Sequence, residues 1–157
     1  MKIITKYGTM LSEENPGVNV LVKEGEYAYN SLNMSNPDIV VELLNSIFLL
    51  NKKTEEYVYM ITKDAKGDII GVFEISHGTV DMSVAQPREI YLKALLCGAV
   101  SIIIAHNHPS GNCLPSNDDQ KVLTRLKDAG NIIGIPLQDF IIVGGSDYFS
   151  AADKNLI

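Results

Sequence analysis

The segment Ala99 to Ala105 reads Ala-Val-Ser-Ile-Ile-Ile-Ala and constrains the fold more than any other stretch of the chain. A nearly continuous, β-branched apolar run of this length is a strand buried on both faces. Such a strand needs a sheet neighbour on each side and packed elements above and below. The rest of the chain supplies them. Ser35-Asn36-Pro37 is a helix start signal, with a capping residue followed by Pro in the first turn. Ile39, Val40, Leu43, Leu44, Ile47 and Phe48 then recur at helical spacing, and this first helix is expected to end near Asn51. Glu56 to Ile61 and Ile69 to Ile75 read as strands. They are joined by a turn over Asp64 to Asp68 in which Gly67 can take positive φ, and Gly78-Thr79 closes the second strand. Pro87-Arg88-Glu89 opens a second helix with Ile90, Ala94 and Leu95 on one face, ended by Gly98. A third helix is expected from Ser116 to near Gly130, and a further strand from Asp139 to Val143, ended by Gly144-Gly145. Helices alternating with strands give an α/β or α+β class, a mixed central sheet with helices packed on it.

Residues 1–34 form a leader set apart from a domain over residues 35–157. Val18 to Val22 alternates, Gly25 follows, and Tyr27 and Tyr29 alternate again, which predicts a hairpin with its turn near Glu24-Gly25. At 157 residues the chain is of ordinary single-domain size and can bury a core without disulfide staples. Its net charge of −6 argues against a general binder of phosphate backbones, which needs clustered Lys and Arg, although a local basic patch is compatible with it. Two cysteines, Cys97 and Cys113, do not make a disulfide framework and fit a reducing compartment. No apolar run is long enough to span a bilayer, and residues 1–4 do not lead into an apolar signal segment, so a cytoplasmic protein with no membrane partner is expected.

The chemistry concentrates between Ala105 and Asp119, where the buried strand runs into a polar, turn-rich loop starting at His106. His106 and His108 are two residues apart, so in extended backbone their side chains leave on the same side and can reach one ion. Catalytic zinc takes three protein ligands and keeps one position open. Asp119, in the first turn of the third helix, is the best third ligand, and Asp118 is its nearest competitor. Asp119 also has a purely structural reading: Ser116 at the N-cap with Asp119 at N3 resembles a capping box. Cys113, inside the loop, is a further conceivable ligand. Two imidazoles and one carboxylate leave the ion a net positive charge, which acidifies a bound water.

The run His106-x-His108 with Pro109, followed by Ser116-x-x-Asp119, resembles the metal motif of the JAMM (MPN-plus) metalloproteases. The longer pattern of Pro87-Arg88-Glu89, Ala105-His-Asn-His-Pro-Ser-Gly111, Pro115-Ser116 and Asp119 is similar to the RadC family within that group, over roughly residues 35–150. The resemblance implies a cytidine deaminase-like JAB/MPN fold, with helices on both faces of the mixed sheet. It implies zinc as the metal and hydrolysis of a peptide or isopeptide bond in a peptide or protein substrate. It also implies a glutamate at the start of the strand after the first long helix. Counting back from Asp64 favours Glu56, with Glu55 and Glu74 as the alternatives. On this reading Glu56 is the general base, and Ser116 donates to the developing oxyanion or serves as N-cap.

The chain departs from the family pattern twice. Residues 1–34 are too short and too strand-like for the helix-hairpin-helix region that RadC proteins usually carry, so direct DNA binding is not expected. Asp139-Phe140 stands where the family often has Asp-His. The competing reading is a DNA-repair or mobile-element accessory protein that acts by binding DNA or other partners. A third is a scaffold that uses no metal, which the complete set of candidate ligands argues against. The apolar first helix is open to two roles, core element or dimer face, so the oligomeric state is left open.

Overall fold

The computed structural model describes residues 1–30, 34–78 and 85–157. Its element order is β1 (Lys2–Leu11), β2 (Asn19–Tyr29), α1 (Pro37–Phe48), a short 3-10 turn (Leu50–Lys52), β3 (Glu56–Lys63), β4 (Ile69–Gly78), α2 (Pro87–Leu96), β5 (Ser101–Asn107), α3 (Asn117–Ile133), β6 (Leu137–Gly144) and β7 (Asp147–Ser150). The strands form one seven-stranded sheet in the order β2-β1-β4-β3-β5-β6-β7. The pairs β1–β4 and β5–β6 are parallel and the others antiparallel, so the sheet is mixed.

Alternation along β5 explains the layers. Ile102 and Ile104 face a core built with Ile90, Tyr91 and Ala94 of α2 and Val122, Leu123 and Leu126 of α3. Ile103 and Ala105 face the opposite core, built with Val40, Leu43, Leu44 and Phe48 of α1. Helices thus cover both faces, as the doubly apolar strand requires. The apolar face of α1 is spent in the core. Asn36 is its N-cap, its side chain accepting from the Asp38 N–H, and Leu49 ends it in the left-handed region. Among the described residues, no helix is long and apolar enough to cross a membrane.

Several boundaries differ from the sequence-based expectation, each for a local reason. The leader hairpin exists, but its turn does not lie at Glu24-Gly25. Val18 to Val22 and Tyr27 to Tyr29 belong mostly to the single strand β2, whose partner is β1. The chain reverses over residues 12–18, where the Ser12 N–H donates to the Val18 carbonyl and Gly17 takes φ +83°. Glu24 is instead the extra residue of a β-bulge, since Lys6 pairs with Gly25 and Tyr7 with Lys23. The hairpin joins the main sheet through Lys6 and Tyr7 of β1, which pair with Val72 and Phe73 of β4. β5 begins at Ser101 rather than Ala99 and continues through His106 and Asn107, because β3 and β6 pair with it on either side as far as His106 and Asn107 respectively. β4 runs to Gly78; Thr79 lies outside the described residues.

α3 passes through Gly130 and ends at Gly134, which caps it with φ +84°. Gly130 is an interior residue selected for close approach. A Cβ there would run into the Tyr91 hydroxyl and lie 2.6 Å from the Ile135 carbonyl oxygen. Tyr91 in turn donates to the Leu126 carbonyl at 2.8 Å, holding α2 to α3. Helix propensity alone favours alanine over glycine by about 1 kcal/mol. The collision reverses that preference, and Gly130→Ala is expected to destabilise the fold by about 1–3 kcal/mol, as overpacking does. Urea unfolding of the two proteins checks the sign, and a stabilised variant would contradict this packing.

Candidate metal centre

The site forms where the C-terminal end of β5 meets the start of β3 and the start of α3. Glu56 is the first residue of β3, and alternation places it on the same face as Val58 and Met60, which pack in the core beneath α2 and α3. His106 lies on that face of β5, beyond Ile102 and Ile104. His108 follows the strand and keeps its direction, its N–H donating to the Val143 carbonyl at 2.8 Å. Asp119 enters from the first turn of α3. One donor atom from each of Glu56, His106, His108 and Asp119 lies within 4.8 Å of all the others.

The distances describe a compact group. Asp119 Oδ1 is 3.3 Å from His106 Nε2, and Asp119 Oδ2 is 3.3 Å from His108 Nε2. Glu56 Oε1 is 2.8 Å from His106 Nδ1 and 4.0 Å from His108 Nε2. His106 is fully buried, and Glu56 and Asp119 nearly so. Yet among the described residues both Glu56 carboxylate oxygens, both His106 ring nitrogens and Asp119 Oδ1 have no hydrogen-bond partner. The groups are close, but they are not aligned to bond one another. Leaving five buried polar atoms unbonded is costly, and a cation among acceptor oxygens and imidazole nitrogens removes that cost. The donor set therefore fits a divalent metal.

Two neighbouring contacts fix the ligands. His108 Nδ1 is 2.7 Å from the Asn112 carbonyl oxygen. A carbonyl only accepts, so Nδ1 carries the proton and Nε2 presents its lone pair to the group, the usual arrangement behind a metal-binding histidine. His106 packs edge-on against Phe140, ring centroids 5.5 Å apart. An aromatic ring of β6 thus supports the first imidazole. The loop carrying Asn112 lies directly on Gly144, where a Cβ would stand 2.7 Å from both the Cys113 nitrogen and the Gly111 oxygen.

Ser116 and Asp119 form the capping box that the sequence suggests. The Asp119 N–H donates to Ser116 Oγ at 3.1 Å, and the Ser116 N–H donates to Asp119 Oδ2 at 2.7 Å, a complete capping box. Oδ1 remains free for the group. The other candidates fall away. Glu55 is exposed at the mouth of the cleft. Glu74 pairs with Lys6 and His77. Asp118 is exposed and pairs with Lys121 at 3.0 Å, and Cys113 packs against the apolar core. Asn107, which the motif spacing leaves without a role, is buried and bonded to β3. Its signal was available, since a polar residue between two ligands on a buried strand needs partners of its own.

A cleft of about 770 Å³ opens onto the group, lined by Glu56, His108, Ser116 and Asp119 and walled by Asn112 and the exposed Leu114. Burial acts against charge on His106, but Asp119 and Glu56 outweigh it and raise its pKa above 6.5. Asp119 raises His108 likewise, against a smaller opposing effect of burial. Burial alone would raise the Asp119 carboxyl, but the two imidazoles overturn this and hold it well below its ordinary 3.8.

These shifts make the pH dependence of stability a test. In metal-free protein the raised imidazoles stabilise fully below pH 6.5, and that contribution is lost as pH rises through their folded values. The depressed Asp119 contributes above pH 3.8 and loses its contribution as pH falls toward its folded value. Metal competes with protons for the same atoms, so its stabilisation grows with pH. Thermal unfolding from about pH 6.5 to 9 is expected to show the gap between metal-loaded and chelator-treated protein widening. A constant gap would contradict metal binding at these imidazoles.

Comparison with known proteins identifies the family. The RadC-like JAB domain matches residues 34–156. A UPF0758 protein of Clostridium beijerinckii is 35% identical over 128 residues, covering 82% of this chain and 55% of the relative. A UPF0758 protein of Alkaliphilus oremlandii is 40% identical over 129 residues, covering 82% and 54%. One from Finegoldia magna is 40% identical over 124 residues, covering 78% and 54%. The chain spans about half the length of these curated relatives. With a family match over most of its length and relatives at this identity, the chain belongs to the RadC family, as a RadC-like JAB domain.

Proposed function

We propose that this protein is a zinc-dependent hydrolase that cleaves a peptide or isopeptide bond in a peptide or protein substrate. The observation that carries the reading is the convergence of Glu56, His106, His108 and Asp119, with buried unbonded donor atoms, beside an open cleft. Two imidazole nitrogens and a carboxylate oxygen are a characteristic catalytic zinc set, and Glu56 is left over for proton transfer. His106, His108 and Asp119 would hold the zinc, which would supply Lewis acidity at the cleft floor and make a water there acidic enough to ionise near neutral pH.

The chain's own groups do the rest. Glu56 takes a proton from the attacking water as its oxygen adds to the carbonyl carbon. It returns the proton to the amide nitrogen as the C–N bond breaks, leaving a carboxylic acid and an amine. Ser116 Oγ accepts from the Asp119 N–H, which leaves its own hydroxyl proton to donate to the carbonyl oxygen as that atom gains charge. Leu114 and Pro115 give the cleft an apolar wall for substrate side chains. Among the described residues no cluster of Lys and Arg lines the cleft, which favours a peptide over a phosphate backbone there.

The purified chain is expected to bind about one zinc ion, measured by elemental analysis, and His108→Ala to lose nearly all of it. Full metal retention by that variant would overturn the ligand assignment. Glu56→Gln is expected to keep its zinc and lose about 10²–10⁴-fold in hydrolysis rate, read against a peptide library. Wild-type activity in that variant would remove Glu56 as the base. Ser116→Ala is expected to cost about 0.5–2 kcal/mol of stability through the lost cap, and additionally to lower kcat, which separates its two roles.

A further inference from the structure

Asn107 stands between the two imidazoles in sequence, and alternation sends its side chain to the opposite face of β5. It is only 2% exposed. Its amide is fully engaged: Oδ1 accepts the Tyr57 N–H at 2.7 Å, and Nδ2 donates to the Glu55 carbonyl at 2.9 Å, with a longer contact of 3.5 Å to the Lys53 carbonyl. The Tyr57 N–H and the Glu55 carbonyl lie on either side of Glu56 in the backbone.

The strand register shows what this replaces. Backbone pairing of β3 with β5 runs from Lys63 and Ser101 to Val58 and His106 and goes no further. On its other edge β5 stays with β6: Asn107 pairs with Val143, and the His108 N–H bonds the Val143 carbonyl. The backbone ladder between β3 and β5 therefore stops where the four donors converge. Beyond that point a side-chain amide bridges the two strands in its place.

We infer that Asn107 is a positioning residue for Glu56: by holding the backbone on both sides of it, the amide sets where the Glu56 carboxylate stands relative to the imidazoles. The inference rests on the assignment of Glu56 as the base in the proposed hydrolase. A merely structural Asn107 would lower stability and leave the carboxylate in place. A positioning Asn107 acts on Glu56 alone, because His106, His108 and Asp119 are held by β5, β6 and α3.

The test compares the full chain with Asn107→Ala, in crystals grown with zinc and in steady-state kinetics. In the variant, His106, His108, Asp119 and the zinc content are expected to be unchanged, while the Glu56 carboxylate moves by about 1 Å; a displacement of that size costs about 100-fold in rate, here in kcat with KM little altered. On a Glu56→Gln background the same substitution is expected to add almost nothing, because the two residues act as a unit. Asn107→Asp keeps the acceptor for the Tyr57 N–H and loses the donor to Glu55; it falls between the two and serves if the alanine variant does not fold. An unmoved Glu56 carboxylate in the folded variant, or a full rate loss on the Glu56→Gln background, overturns the inference. If the wild-type chain takes up no zinc or cleaves no peptide, the hydrolase reading fails instead, and the displacement of Glu56 in the crystals still decides the role of Asn107.

Discussion

Taking the Glu56 and Asp119 carboxylates out of water costs several kcal/mol each unless positive charge comes with them. The architecture around the site follows from this constraint. Two imidazoles from one strand end can supply that charge only in part, because burial opposes it. The strand that carries them must also be rigid, or the carboxylates find water elsewhere. β5 meets both demands. It is hydrogen-bonded to a neighbour on each edge and packed on each face, so His106 and His108 leave it in fixed directions. β3 and α3 then deliver one acid each to a place already determined.

Much of this was legible in the sequence, for identifiable reasons. The apolar run at Ile102 to Ile104 announces a doubly buried strand, and helices on both faces follow from it. The i, i+2 spacing of His106 and His108 fixes their common face, and Asp119 follows from its place in the first turn of a helix whose start is marked by Pro115-Ser116. Glu56 needed the family likeness to be chosen over Glu55 and Glu74. The periodicity that settles it was nonetheless present, since Glu56, Val58 and Met60 share a face while Glu55 takes the other.

The less legible parts are those where one residue type serves two purposes. Gly25 follows an alternating run and so looks like a turn, but it sits beside a bulge. The actual reversal carries Asn15-Pro16-Gly17, a stronger turn signal. Gly130 looks like a helix end and is a contact point, because what it lacks is needed by Tyr91 and Ile135. His106 and Asn107 look like loop because they are polar, yet they complete a strand. Their polarity answers to the cluster of Glu56, His108 and Asp119 and to β3, neither of which a local pattern reveals. The short strand β7 also went unread. Its place is secured at a distance by Asp139, which accepts from the Ser150 hydroxyl at 2.7 Å.

Asp119 Oδ2 accepts from the Ser116 amide and also lies beside His108 Nε2, while Oδ1 faces His106 Nε2. A cation held at this group would share that carboxylate with the opening turn of α3, and linkage would make the coupling reciprocal. Fraying of that turn would then loosen such an ion, and withdrawing the ion would free the turn to fray.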